Sequence, residues 1–216
     1  MKQAFFSIFI AIVFVFSAQA RQLPPFQLKD GDRVAFLGDT LIERMQEFNH
    51  LELRLTTAWP KRNIIFRNLG WSGDTPRGIS RAGLSLLQAG REPVNEGWKQ
   101  LQKQIELVKP TVIFLGYGMA SSFEGKPEKF RAEMQALMDA IRKQIPKVRF
   151  VILSPIRHES VEGLSNAEHN HQIAAHIIEL DHLAQVNSAQ FIKIFLSQAA
   201  KRLHLTQNGI HPHDAG

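Results

Sequence analysis

Val34-Ala35-Phe36-Leu37 constrains the fold more than any other stretch, because an apolar run this short, cut off at once by Gly38-Asp39-Thr40, suits a strand buried on both faces. The pattern then repeats down the chain. Leu41 to Thr57 carries Leu41, Ile42, Met45, Phe48, Leu51 and Leu55 at spacings of three and four, the signature of one helical face, and Trp59-Pro60 ends it. Asn63 to Leu69 reads as a second strand, Glu96 to Val108 as a helix, and Thr111 to Leu115 as a third strand. Pro127 to Ile145 follows as a helix, Val148 to Leu153 as a strand, Ala167 to Ala184 as a helix, and Phe191 to Phe195 as a fifth strand. Strands alternating with helices predict a parallel sheet with helices on both faces and right-handed crossovers.

In such sheets ligands bind outside the carboxyl ends of the strands. Three successive strands end there in glycine with hydroxyl-bearing residues: Gly38-Asp39-Thr40, the turn from Gly70 to Thr75, and the turn from Gly116 to Phe123. What converges on Thr40 is therefore the functional question.

The 216 residues, 44% of them hydrophobic, suffice for one α/β domain, read here as residues 31–216 behind an extended, proline-containing lead-in at 21–30. Residues 1–20 combine a positive start at Lys2, an apolar run from Ala4 to Phe16 and a small-x-small site at Ala18-Gln19-Ala20, which reads as a signal peptide for export to the periplasm or beyond. A retained membrane anchor is the weaker reading, because the run falls short of the ~20 apolar residues that span a bilayer. With no cysteine, neither a disulfide framework nor a lipid-anchored thiol is available. The formal charge of +6 falls to +5 when Lys2 is removed with the leader. Basic residues are interspersed with acidic ones rather than massed with aromatics, which argues against a nucleic-acid partner.

Together the turns resemble the SGNH or GDSL hydrolase superfamily from about Gly31 onward. Gly38-Asp39-Thr40 looks like its first block, Asn68 to Thr75 like the second, Gly116 to Phe123 sits where the third belongs, and Asn208-Gly209-Ile210-His211-Pro212 looks like the last. The resemblance implies a three-layer α/β/α sandwich with a five-stranded parallel sheet, flavodoxin-like in its winding. It also implies an esterase or deacetylase acting on an acylated carbohydrate or other small-molecule ester, with no cofactor and no metal. In that family a hydroxyl attacks an acyl carbonyl, a histidine takes its proton, and amides stabilise the oxyanion.

Carried over by position, Thr40 is the nucleophile, His211 the base and Asn208 the group orienting the ring, while Gly73 and Thr40 supply oxyanion amides. The chain departs from the family at three of these places. Thr40 replaces serine, Asn208 replaces the aspartate, and Ala120 replaces an asparagine donor for which Ser121 is the nearest substitute. A carboxylate serving His211 would come from Asp39, Asp74, Glu159 or Asp214. Asp39, Trp71, Asp74, Ala120 and His158 are read as substrate-binding. Trp71 is a stacking platform for a sugar ring or else core, and Thr40 is a nucleophile or else a helix cap. Ser72 lacks the G-x-S-x-G surroundings of a nucleophile. His169, His171, His176 and His182 lack metal-site spacing and read as packed or solvated. The alternative function is a non-catalytic binding module for saccharide or ester ligands in the same cleft. Asp214-Ala215-Gly216 looks like the first turn of a further helix, so the domain is expected to lack its last helix here. The sequence assigns no oligomeric state.

Overall fold

The computed structural model describes residues 25–81, 96–160, 166–195, 206 and 209–211. The leader expected at 1–20, Asn208, and the helical turn expected at Asp214 lie outside these residues.

Five strands, β1 (Arg33–Gly38), β2 (Ile65–Asn68), β3 (Val112–Gly116), β4 (Arg149–Leu153) and β5 (Gln190–Ile192), form one parallel sheet in the order β2-β1-β3-β4-β5. Strand alternation decides the layers. Val34, Phe36, Val112, Phe114, Val151 and Leu153 enter one apolar cluster with Ile42, Met45, Leu51 and Leu55, the inner face of α1 (Thr40–Phe48) and α2 (His50–Ala58). The intervening Ala35, Leu37, Ile113, Leu115, Phe150 and Ile152 enter a second cluster on the opposite face. That cluster is closed by Leu101 and Ile105 of α3 (Glu96–Val108), by Phe130, Met134 and Met138 of α5 (Pro127–Gln144), and by Leu180 and Leu183 of α6 (Ala167–Val186). A short α4 (Met119–Ser122) follows β3 directly. This is the three-layer α/β/α arrangement.

Three elements differ from the sequence expectation, one of them the short α4, which lies in a stretch expected as a turn. The helix expected over Leu41 to Thr57 is two helices, because Asn49 takes a left-handed conformation at φ 53°, which asparagine tolerates better than most residues. The fifth strand is three residues, Gln190–Ile192, starting one residue earlier than expected.

The register of the central pair positions the site. Gly38 and Gly116 are directly paired, so β1 and β3 leave the sheet at one level. Asp39 N–H donates to Gly116 O at 3.0 Å, and Trp71 N–H donates to Gly38 O at 3.0 Å. The exits of β1, β2 and β3 are thus stitched into one rim by backbone hydrogen bonds.

Candidate active site

Thr40 is the first residue of α1, and the capping role falls to its neighbour. Asp39 Oδ1 accepts from Leu41 N–H at 3.2 Å. Its Oδ2 accepts from Met119 N–H at 3.1 Å and, at a longer 3.5 Å, from Ala120 N–H at the start of α4. One carboxylate therefore holds the first turns of two helices. Asp39 is 2% exposed, and burial pushes its carboxyl up to about 6 against the opposing pull of those amides.

Relieved of capping, the Thr40 hydroxyl points elsewhere. Its Oγ1 accepts from Gly73 N–H at 2.8 Å and lies 3.3 Å from Ser72 Oγ. Gly73 has φ +64°, a backbone conformation that glycine enters without steric cost, and this turns its amide toward Thr40. The turn is anchored from below. Asp74 N–H closes it on Trp71 O at 3.1 Å, and Ser80 Oγ donates to Gly73 O at 2.7 Å. The Asp74 carboxylate is fully buried and accepts from Arg81 Nε at 2.7 Å, while Arg81 Nη2 reaches Leu69 O at 2.5 Å. Burial raises the Asp74 carboxyl even with this guanidinium beside it.

His211 lines the same cleft, of about 460 Å³, as Asp39, Thr40, Ser72, Gly73 and Ala120. Burial, and then the charge of Arg44, hold its ring below the ordinary histidine value, with Glu43 pulling the other way. A neutral imidazole at neutral pH is the form a general base requires. Its loop is docked through Glu159, whose Oε2 accepts from Thr206 N–H at 2.9 Å and from Thr206 Oγ1 at 2.6 Å. Gly209 N–H in turn donates to Thr206 Oγ1 at 3.0 Å, and Glu159 N–H donates to Gly209 O at 2.7 Å. The apolar wall of the cleft, with Met119, Ile156 and Ile210, is the upper edge of a third apolar cluster rooted on Ile173 and Ile177 of α6.

Thr40, Gly73, Asp39, Ala120 and His211 are thus brought to one cleft, whereas Asp74, Ser121, Trp71 and His158 do not line it. Asp74 is fully buried under the turn, its Oδ2 held by Arg81, and it does not line the cleft. Ser121 is 6% exposed and does not line the cleft. Trp71 is 42% exposed and stands outside the lining. His158 does not line the cleft, its Nδ1 lying 2.8 Å from His169 Nδ1, while His169 Nε2 is 2.8 Å from Ser122 Oγ. Since Ser122 Oγ donates to Met119 O at 2.8 Å, the chain runs His158 Nδ1–H to His169 Nδ1, and His169 Nε2–H to Ser122. His169, held at about 4 chiefly by burial, is neutral as that chain requires. Asn208 and Asp214 lie outside the described residues. Among the described residues no group of three metal-ligating side chains gathers.

Two residues that sequence reasoning passed over are Arg44 and Glu43, whose charges act on the His211 ring. Glu43 stands three positions after Thr40 on α1, and helical spacing could have placed the two on one face.

No family model matches the chain, and no curated protein matches it. Solved structures do. An acetylxylan esterase from Geobacillus stearothermophilus is similar at 14% identity and a TM-score of 0.64, over 88% of this chain and 90% of that one. Catalytic mutants of that esterase replace an aspartate, a serine and a histidine. A protein from Parabacteroides merdae described as a GDSL-like lipase is similar at 14% identity and a TM-score of 0.66, over 88% and 92% of the two chains. A gut microbial diltiazem-metabolizing enzyme is similar at 22% identity and a TM-score of 0.63, and this chain, matched over 90% of its length, spans 45% of that one. The chain has the SGNH/GDSL-like fold.

Proposed function

We propose that this chain is an exported SGNH-type ester hydrolase, working on an acylated saccharide or similar small ester, in which Thr40 is the nucleophile and His211 the base. The observation that carries the reading is the 2.8 Å hydrogen bond from Gly73 N–H to Thr40 Oγ1 inside a cleft that His211 also lines. An amide touching the attacking oxygen in the free protein is within reach of the oxyanion that forms beside it. The second amide is that of Thr40, at the first helical position, where helix geometry supplies no intrahelical acceptor. In the attack Thr40 Oγ1 bonds to the carbonyl carbon as its proton passes to the imidazole of His211. Collapse expels the alcohol, which takes that proton, and water then releases the acyl group by the same route in reverse.

One observation favours the alternative of a binding module: Ala120 gives the cleft a methyl where the family has a donor. Turnover of a short-chain p-nitrophenyl ester separates the readings. Wild type above buffer, with Thr40→Ala and His211→Ala at buffer, is expected of the hydrolase. Thr40→Ser should be faster than wild type, since it removes the β-methyl that stiffens χ1 and crowds attack. Rates at buffer for all four proteins would leave only the binding module.

A further inference from the structure

An oxyanion is best stabilised by donors fixed before the reaction, and the cleft is one side-chain donor short at Ala120. The substitute suggested by the sequence, Ser121, is buried outside the lining. Tyr117 lines the cleft at 1% exposure, but its hydroxyl lies 3.4 Å from Asp74 Oδ2, beneath the turn. Asp39 is a carboxylate already holding amides. Ser72 differs from all of these. It is exposed, lines the cleft, and places Oγ 3.3 Å from Thr40 Oγ1, the same oxygen that accepts from Gly73 N–H.

We propose that the Ser72 hydroxyl is a catalytic group of this site, supplying the hydrogen bond that Ala120 cannot. The inference rests on the reading of Thr40 as nucleophile. Before attack Ser72 O–H donates to Thr40 Oγ1, leaving the Thr40 proton for His211. As the new C–O bond forms, the π pair of the carbonyl moves onto its oxygen, and Ser72 O–H rotates about Cβ–Oγ to donate there beside Gly73 N–H. Ser72 keeps its proton throughout, and no electron pair leaves it. The rotation needs no backbone movement, and the backbone on which Ser72 sits is fixed: Trp71 to Asp74 is closed by the Asp74 N–H, and Asp74 is locked by the buried Arg81. Such a preset donor is worth two to three orders of magnitude in kcat elsewhere.

The test uses the full chain with a p-nitrophenyl acetate assay, a fluorophosphonate label, and peptide mapping of the adduct. Ser72→Ala should lower kcat about a hundredfold with KM little changed, because the lost bond strengthens in the transition state. Adding Ala120→Asn to Ser72→Ala should recover most of that loss, which a merely structural role for Ser72 would not allow. The label should map to Thr40. Wild-type activity with Thr40→Ala at buffer and Ser72→Ala at full rate overturns the Ser72 assignment and leaves the hydrolase reading standing. A loss in Ser72→Ala that Ala120→Asn leaves untouched, or an adduct on Ser72 itself, also overturns it. An inactive, unlabelled wild type removes both readings at once.

Discussion

Replacing Asp39 by asparagine should change how the fold's stability depends on pH, and with a sign opposite to that of most carboxylates. Asp39 is 2% exposed, and burial pushes its carboxyl up to about 6, from the ordinary 3.8 that it regains on unfolding. Between those two values the folded chain holds a proton that the unfolded chain has released, so stability falls as pH rises through the window. At 1.36 kcal/mol per pH unit, the interval from 3.8 to about 6 corresponds to about 3 kcal/mol, of which roughly 2 lies between pH 4 and pH 8. The asparagine of the Asp39→Asn variant cannot ionise and removes that slope. It also forfeits one acceptor for the Leu41 or Met119 amide, a pH-independent loss of about 1–3 kcal/mol. The measurement is urea unfolding of wild type and Asp39→Asn at half-unit pH steps, read as the difference between the two curves so that distant titrating groups cancel. The stability of wild type minus that of the variant should fall by roughly 2 kcal/mol from pH 4 to pH 8. A flat difference, or one rising with pH, would refute the argument that desolvation outweighs the amides around this carboxylate.

Arg81→Met leaves the Asp74 carboxylate buried without its cation and should destabilise the fold by about 3–5 kcal/mol in chemical denaturation, whereas Asp74→Asn combined with Arg81→Met should cost distinctly less. The acid limb of kcat/KM should lie below the ordinary histidine value, because burial and Arg44 disfavour the charged ring of His211. Arg44→Gln should move that limb to higher pH and Glu43→Gln to lower pH, and identical profiles would exclude His211 as the group reported. Glu159→Gln replaces the charged acceptor at Thr206 with a neutral one and weakens the docked turn. At about 2 kcal/mol, amide exchange at Gly209 and Ile210 should quicken about thirtyfold.

What the sequence carried of the fold follows from periodicity. The alternation of Val34 with Ala35 and of Phe114 with Ile113 feeds two clusters on opposite faces, and that demand made the strands and their covering helices legible. The break at Asn49 was hidden, since one left-handed residue leaves the apolar spacing on either side intact. The four-residue α4 was hidden for a related reason: it is too short to show a period, and it is held from outside, by the carboxylate of Asp39 eighty positions earlier.

The roles of the carboxylates were harder to read than the places of the strands, and the cause is physical. Motif spacing places a residue at a rim, but the partner of a buried charge depends on which loops meet there. Asp39, Asp74 and Glu159 all lie at the turns that form the rim, so each was a reasonable partner for His211. In the folded chain each is bound to structural work, capping two helices, pinning the Gly73 turn through Arg81, and clamping the turn that carries His211. Asp39 and Asp74 are both buried, and each is drawn to the donors beside it, backbone amides for Asp39 and a guanidinium for Asp74. Burial lowers the pKa of the His211 ring first, and Arg44 and Glu43, two adjacent residues of α1 with opposite signs, then act on it in opposite directions. Thr40 and the two charges that act on His211 thus sit on one helix, and on the hydrolase reading proposed above a change that repositions α1 should alter attack and proton transfer together.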